Sequence, residues 1–330
     1  MADKRLRIGV IGVGIMGERH ARVAAALPHT QLVAVVDVNP VRVAEISAAH
    51  GVPGYTDYRD MLAKEELDAV AVATADQFHK APTVDALRMG LAVFLEKPVA
   101  STLADAEAIQ VAARETGGKV MVGHTLRYDS RYGAVAQAAK EGKIGDIIHI
   151  YARRNATTWS GRRIGGRASV TVFQGVHDFD VIRWITGAEV VRAYGVAASK
   201  ALTDLGVADT VMATLELSSG GIAQVEQSWG VPYGVPSMLD ARMEVVGTKG
   251  AAYIDMTPQC LSLFTDGKFT QPDTIYSGAG LHILKDMYAQ FLAYVEGTGE
   301  AVATLEDGIA ALKIALAVDE SVKTGKPIDL

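Results

Sequence analysis

The chain has 330 residues, is 49% hydrophobic and 21% charged, and carries a formal net charge of −6, which places it among soluble globular proteins with room for two ordinary domains. The acidic balance argues against non-specific attachment to nucleic acid or an anionic membrane, which need a basic surface, so neither is expected as a partner. Cys260 is the only cysteine. An intrachain disulfide and a Cys-based zinc site are therefore excluded, and a reducing, cytoplasmic setting is expected.

The first residues, "KRLR" followed by "IGVIGVGIMG", have the basic flank and apolar run of a secretory leader. Gly9, Gly12, Gly14 and Gly17 punctuate the run, Glu18, Arg19 and His20 cut it off, and no small-residue cleavage pattern follows. It reads as a first strand and loop. Nowhere does an apolar stretch approach the ~18 residues of a membrane span.

Up to residue 122, β-branched runs alternate with helical patterns: "LRIGVIG", Glu18 to Leu27, "QLVAVVD", Pro40 to His50, "DAVAVAT", Lys80 to Met89, "AVFLEKP" and "KVMVGH". Strands apolar on both faces and separated by amphipathic helices predict a parallel sheet covered on each side. The pattern changes from Ile147. "LELSSGGIAQVEQ", "MEVVGTKGAAYID" and "LSLFTDGKFTQ" place Gly-containing turns between alternating segments, Asp266-Gly267 most clearly. These predict a mostly antiparallel sheet, followed by helices over Gly280 to Glu296 and Leu305 to Thr324. The expected domains are 1–122 and 123–330, joined by a short connection near Val122 to Gly123, with a cleft between them.

In the first half, Gly12-x-Gly14-x-x-Gly17 follows the first strand and opens the first helix. That is the context of a dinucleotide loop. Gly12 permits the tight turn, Gly14 lets the backbone approach a pyrophosphate, and Gly17 allows close helix–strand packing. Asp37 ends the second strand, 20 residues after Gly17. A carboxylate there accepts hydrogen bonds from ribose hydroxyls and repels a 2′-phosphate, so NAD is expected in preference to NADP. Arg42 is the one nearby group that can meet a phosphate.

"VTVFQGVHDFD", Val170 to Asp180, puts a histidine and two aspartates after an apolar run. A helix from about Val176 to before Gly187 places His177, Asp180 and Trp184 on one face and turns Asp178 elsewhere. As a metal site this offers two ligands at most, so no metal is expected. A structural histidine at a helix start is the plain alternative to a catalytic one. The run "ARRNATTWSGRRIGGR" carries Arg153, Arg154, Arg162, Arg163 and Arg167 without an acid. It reads as a solvated loop, as a subunit contact, or as a place where one or two guanidinium groups take a substrate carboxylate or phosphate. Arg127 and His282 are further candidates.

Glu96-Lys97-Pro98 at the end of a strand, with the glycine loop, Asp37, "GHTLRYDSRY", and Gly165-Gly166 followed by "GVHDFDVIRWITG", resembles the Gfo/Idh/MocA oxidoreductase family. The resemblance runs to the terminal "SVKTGKPIDL". It implies an α/β fold: an N-terminal Rossmann dinucleotide-binding domain and a C-terminal α/β domain with a large, open, mostly antiparallel sheet, whose face forms homodimer or homotetramer contacts. It also implies NAD as cofactor and a sugar, cyclic polyol or related compound as substrate. Lys97 matches the family's catalytic lysine and His177 the histidine of its D-x-G-x-H-x-x-D segment; Gly175 and Asp180 match too, and Pro98 is similar to the proline beneath the nicotinamide. The first aspartate of that segment falls at Phe173.

The cofactor contacts expected on this reading are Gly12, Gly14, Ile15, Met16, Gly17, Asp37, Thr74, Glu96, Lys97 and Pro98. Substrate contacts are expected from Lys97, Arg127, Arg154, Arg163, Phe173, His177 and Asp180. Oxidising an alcohol needs a base at the hydroxyl as hydride leaves the carbon. A bound pyridinium disfavours a second cation beside it, which primes Lys97 for that task, and His177 shares or relays the proton. Phe173 is expected to make the surroundings less polar. Two other functions remain open: a redox-assisted lyase or glycosidase that returns NAD unchanged, and a non-catalytic NAD-binding regulator, against which Lys97 and His177 count.

Overall fold

The computed structural model describes residues 5–232, 239–256, 263–265, 268–270 and 281–330. The chain divides into two compact units: Met1–Tyr128 with Gly278–Ile309, and Asp129–Ser277 with Ala310–Leu330. This differs from a single break near residue 122, because a helix from the far end of the chain returns to the first unit.

The first unit is built on β1 (Leu6–Ile11), α1 (Ile15–Ala26), β2 (Thr30–Val36), α2 (Pro40–His50), β3 (Gly54–Tyr55), α3 (Tyr58–Lys64), β4 (Ala69–Val72), α4 (Lys80–Arg88), β5 (Ala92–Leu95), α5 (Leu103–Thr116) and β6 (Val120–Val122). The six strands lie in the order β3-β2-β1-β4-β5-β6 and pair in parallel throughout. β4 and β5 are buried at every residue, as strands covered on both faces must be. The order reverses at β1, where β2 lies on one side and β4 on the other, and such a switch point is where open α/β sheets bind their ligands.

Helix α9 (Leu281–Glu296) completes this unit. Its buried residues Leu284, Met287, Tyr288 and Phe291 fall at i, i+3, i+4 and i+7, a single apolar stripe. They join the core formed by β1, α1 and β5, where Phe94 stacks on Tyr288 with ring centroids 5.4 Å apart and meets Phe291 edge-on at 5.6 Å. Burial of this stripe is the physical reason the C-terminal helix belongs with the N-terminal sheet.

The second unit contains α6 (Ser130–Lys140), β7 (Ile147–Thr157), α7 (Thr158–Ile164), α8 (Val176–Thr186), β8 (Val190–Ala198), β9 (Thr210–Leu217), β10 (Ile222–Val231), β11 (Leu239–Gly247), β12 (Ala251–Asp255), a short β13 (Leu263–Thr265) and β14 (Lys268–Thr270) pair, most of α10 (Leu305–Thr324) and β15 (Ile328–Asp329). Its main sheet has the order β12-β11-β7-β10-β9-β8-β15, and only β10 with β7 is parallel. The β9–β10 and β11–β12 hairpins follow the predicted turns. β13 pairs with β14; Asp266-Gly267 and Cys260 lie outside the described residues.

Alternation decides the faces of this sheet. Ala193, Ala213, Leu215, Val225, Ala152 and Met243 point inward and are buried, with Val318 of α10 packed against Gly195. The opposite face carries, along one register line, Tyr194, Thr214, Gln224, Tyr151, Glu244 and Tyr253. No helix among the described residues is long and apolar enough to cross a membrane.

Candidate functional site

The glycine loop has the shape its sequence calls for. Gly12 has φ +86°, and a Cβ there would sit 2.7 Å from the Thr74 nitrogen; a Cβ on Gly17 would lie 1.7 Å from the Gly12 carbonyl oxygen. Neither position admits a side chain. Gly14 has nothing within 4 Å of where a Cβ would be, and it opens α1 without a side-chain cap. The helix start, at Ile15 and Met16, therefore combines backbone N–H donors, the positive end of a helix dipole and open space, which fits a pyrophosphate.

Asp37 follows β2 directly. Its Oδ2 accepts from the Val13 N–H at 2.9 Å and its Oδ1 from the Asn39 N–H at 3.0 Å. These bonds fix the carboxylate beside the loop and use two of its roughly four acceptor positions, leaving capacity for ribose hydroxyls. Arg42 does not stand ready for a 2′-phosphate. Its Nε donates to the Val13 carbonyl at 2.8 Å, and its two terminal nitrogens meet Glu45 and Glu18. Hydrogen bonding to Glu45 raises its pKa against the opposing effect of burial. Val38, 88% exposed, offers a phosphate nothing.

A second array surrounds Lys97. Glu96 emerges from β5 into the interior, and His20 bonds it through Nε2 at 2.9 Å while His20 Nδ1 meets the Tyr288 hydroxyl at 2.9 Å. All three are buried. Burial pushes the Glu96 carboxyl up, but the bond to His20, its charge, and those of Lys97 and His79 outweigh it and hold the group below the usual carboxylate range. The other Glu96 oxygen accepts from the Lys97 N–H at 3.3 Å. Glu96, expected among the cofactor contacts, faces inward to His20. Buried His79 spans two loops, with Nδ1 2.9 Å from the Pro98 carbonyl and Nε2 3.1 Å from that of Thr74. Burial lowers its pKa despite both carbonyls, so a neutral ring donates to one of them at a time. Lys97 itself is half-buried, and the peptide to Pro98 is cis.

In the second unit, Thr171–Gly175 form a π-helical turn that leads into α8. Asp319 of α10 accepts from the Ser169 hydroxyl at 2.6 Å and from the Thr171 hydroxyl, and Ser169 Oγ accepts from the Val172 N–H at 3.1 Å. Gly175 packs directly on Gln227, whose amide oxygen would lie 2.2 Å from a Cβ. The turn is thus pinned from two sides. His177, in the first turn of α8, is half-buried, and Asp180 is fully buried one turn on. The predicted helix is the one observed, and Asp178 is bound by Arg154.

Two expected substrate contacts need correction. Arg154 is 4% exposed and holds Asp178 with two bonds, Nε to Oδ2 at 2.9 Å and Nη2 to Oδ1 at 2.8 Å, with the Tyr132 hydroxyl at 3.3 Å. Burial alone would lower its pKa, but Asp178 and Tyr132 raise it further and keep it charged. Arg127, its side chain 5% exposed, pairs with Asp307 at 3.1 Å and donates to the Val302 carbonyl at 2.7 Å. Both arginines serve the interiors of their own units.

The surroundings of Phe173 also differ from the apolar patch expected. The guanidinium carbons of Arg163 and Arg167 each lie 5.7 Å from its ring centroid, and Trp229 is tilted against it at 6.3 Å. His282 is exposed in the first turn of α9. His20, Tyr288, His79 and Asp319 were not singled out by the sequence. The available signal for His20 was its place on the buried stripe of α1 with Gly17, Ala21 and Ala24, where a polar side chain needs a partner.

With these arrays described, comparison with known proteins gives the class. Residues 6–124 match the family model described as an oxidoreductase family with an NAD-binding Rossmann fold, and residues 132–253 match the Gfo/Idh/MocA C-terminal domain. The chain belongs to the Gfo/Idh/MocA oxidoreductase family, and NAD is its cofactor. An inositol 2-dehydrogenase of Rhizobium meliloti is 30% identical over 336 residues, covering 98% of this chain and 99% of that protein. A 1,5-anhydro-D-fructose reductase of Ensifer adhaerens is 28% identical over 337 residues, covering 98% of each. Among solved structures, scyllo-inositol dehydrogenase of Lactobacillus casei with bound NAD(H) and scyllo-inositol superposes with a TM-score of 0.89 at 25% identity, covering 99% of each chain.

Proposed function

We propose that the protein is an NAD-dependent dehydrogenase that oxidises a hydroxyl of a cyclic polyol, sugar or sugar derivative. The observation that carries this reading is the end-to-end similarity to inositol 2-dehydrogenase, in a chain that keeps Lys97 two residues after β5 of the NAD-binding unit. NAD, when bound, accepts the hydride. Gly12, Gly14, Ile15, Met16 and Gly17 take its pyrophosphate, Asp37 its ribose hydroxyls, and Thr74, Lys97 and Pro98 border it.

In this reading Lys97 Nζ removes the proton of the reacting hydroxyl and His177 shares or relays it. Asp180 orients His177 or the start of α8, and Phe173 offers its ring to a C–H face of the substrate. The fixed turn beneath Phe173 and the buried Glu96 beside Lys97 supply the preorganisation that proton transfer needs. NADH formation across inositols, aldoses, sugar acids and anhydrosugars tests the proposal. Substrate-dependent absorbance growth is the expected result, whereas bond cleavage with no net NADH would replace the dehydrogenase by a redox-assisted lyase.

The enzyme is further proposed to work in the cytoplasm as a homodimer or homotetramer joined through the outer face of its large sheet. That face exposes Tyr194, Val196, Met212, Ile222 and Tyr253, apolar side chains that a second copy would cover. Sedimentation of the protein and of Met212→Lys is the check, with the variant expected to dissociate.

A further inference from the structure

Strands β4 and β5 are parallel neighbours with Val72 opposite Leu95, so Thr74, two residues beyond β4, and Pro98, three beyond β5, leave the same edge of the sheet. One side chain stands between them. His79, 1% exposed, follows the short turn Asp76–Phe78 and opens α4. Its Nδ1 lies 2.9 Å from the Pro98 carbonyl oxygen and its Nε2 3.1 Å from that of Thr74. Thr74 already rests on the glycine loop, since a Cβ on Gly12 would lie 2.7 Å from its nitrogen. Pro98 ends the segment whose start is held by Glu96, which accepts from the Lys97 N–H at 3.3 Å.

Burial keeps the His79 ring neutral near pH 7 against the pull of the two carbonyls and of the Asp76 and Glu96 carboxylates. The ring therefore has one hydrogen for two acceptors. Thr74 is supported by its packing on Gly12 whichever way that hydrogen points, and the Pro98 oxygen is the nearer of the two. The order of the sheet tells which part of NAD these turns meet. With the adenosine ribose at Asp37 after β2 and the pyrophosphate at α1 after β1, a dinucleotide laid across the switch point puts its nicotinamide half on the side of β4 and β5.

We infer that His79 is a positioning residue for the nicotinamide half of NAD: its ring hydrogen is on Nδ1 and holds the Pro98 carbonyl, which fixes the turn after β5 where that half of the cofactor lies. Being buried, it acts through Pro98. The inference rests on NAD as the cofactor and not on the dehydrogenase reading, so it is tested without a substrate.

NAD and ADP are titrated by calorimetry into the parent protein and into His79→Phe, His79→Asn and His79→Gln. ADP carries the adenosine and the pyrophosphate but lacks nicotinamide and its ribose. His79→Phe fills the space of the ring without a donor, whereas His79→Asn places an amide nitrogen at the distance of Nδ1 from the backbone and His79→Gln at that of Nε2. In His79→Phe, NAD affinity should fall by about tenfold, the worth of one well-placed hydrogen bond, while ADP affinity changes by less than about twofold. His79→Asn should regain most of the loss and His79→Gln should not. If His79→Phe fails to fold, the difference between His79→Asn and His79→Gln carries the test by itself. A histidine that only packs the interior would lower NAD and ADP affinity alike, and that result overturns the inference. So does unchanged NAD affinity in His79→Phe. Recovery by His79→Gln and not by His79→Asn overturns it as well, because the bond would then be to Thr74. None of these readings uses NADH formation, so the dehydrogenase stands or falls separately.

Discussion

Nε2 of His20 and the Glu96 carboxylate lie 2.9 Å apart in the interior of the NAD-binding unit, and the same carboxylate accepts from the backbone N–H of Lys97. An ionised carboxylate fixed from behind holds the segment that presents the lysine. Because Glu96 is buried and its carboxyl is held below the usual carboxylate range, it acts on position and local charge as a carboxylate.

Glu96→Gln is accordingly expected to lower kcat by about 10²-fold, the scale of a small misplacement of a reacting group. KM and NAD affinity should change much less. His20→Phe should reproduce part of the loss, since it removes the bond and leaves the carboxylate buried. Steady-state kinetics with cofactor titration checks both; an unchanged kcat in Glu96→Gln would show that the network only packs the core.

Cofactor choice gives a second expectation. Asp37→Ser should weaken NAD binding by about tenfold, corresponding to about 1.4 kcal/mol, without creating tight NADP binding, because Arg42 is engaged by Glu18 and Glu45. Adding Val38→Arg should raise NADP affinity. Calorimetry with both cofactors measures this, and tight NADP binding by Asp37→Ser alone would contradict the account of Arg42.

Arg154→Ala is expected to destabilise the protein by about 3–5 kcal/mol, the cost of stranding a buried charge, here Asp178. Urea unfolding reads that loss. A variant of ordinary stability with a selectively raised KM would restore Arg154 to the substrate.

Asp319 couples stability to pH. Burial raises its pKa above 3.8 although the bonds from Ser169 and Thr171 oppose the shift. A carboxyl that holds its proton more tightly in the folded state contributes stability that is fully present below its unfolded value near 3.8 and is lost as pH rises from there through the raised folded value. Asp319→Asn should flatten this part of the stability profile when unfolding is followed from about pH 4 to pH 8. Asp319→Ala, which deprives two hydroxyls of their acceptor, should cost about 1–3 kcal/mol and lower turnover by loosening the turn before His177. An Asn variant with the same pH slope as the parent would assign that slope elsewhere.

Local pattern made much of this legible in advance. The spacing of Gly12, Gly14 and Gly17, the βαβ alternation, the two turn-linked hairpins and the 176–186 helix depend on neighbours in sequence, and the structure has them. Partners far apart in the chain were not legible. His20 meets Tyr288 across 268 positions, and Arg127 reaches Val302 across 175; a basic residue shows its charge in the sequence but not the acid that folding brings to it. Helix α9 was visible as a helix, yet its unit was decided by the aromatic core around Phe94. The π-helical turn at 171–175 likewise depends on Asp319, which no local spacing reveals.

The most direct test of the proposed chemistry is single-turnover NADH formation by Lys97→Ala at saturating substrate, with NAD affinity measured on the same protein. Loss of general-base catalysis should slow the hydride step by about 10²–10⁴-fold while NAD binds nearly as before, and His177→Ala should be severe as well. A Lys97→Ala protein that forms NADH at close to the parent rate would contradict the assignment of the hydroxyl proton to Lys97.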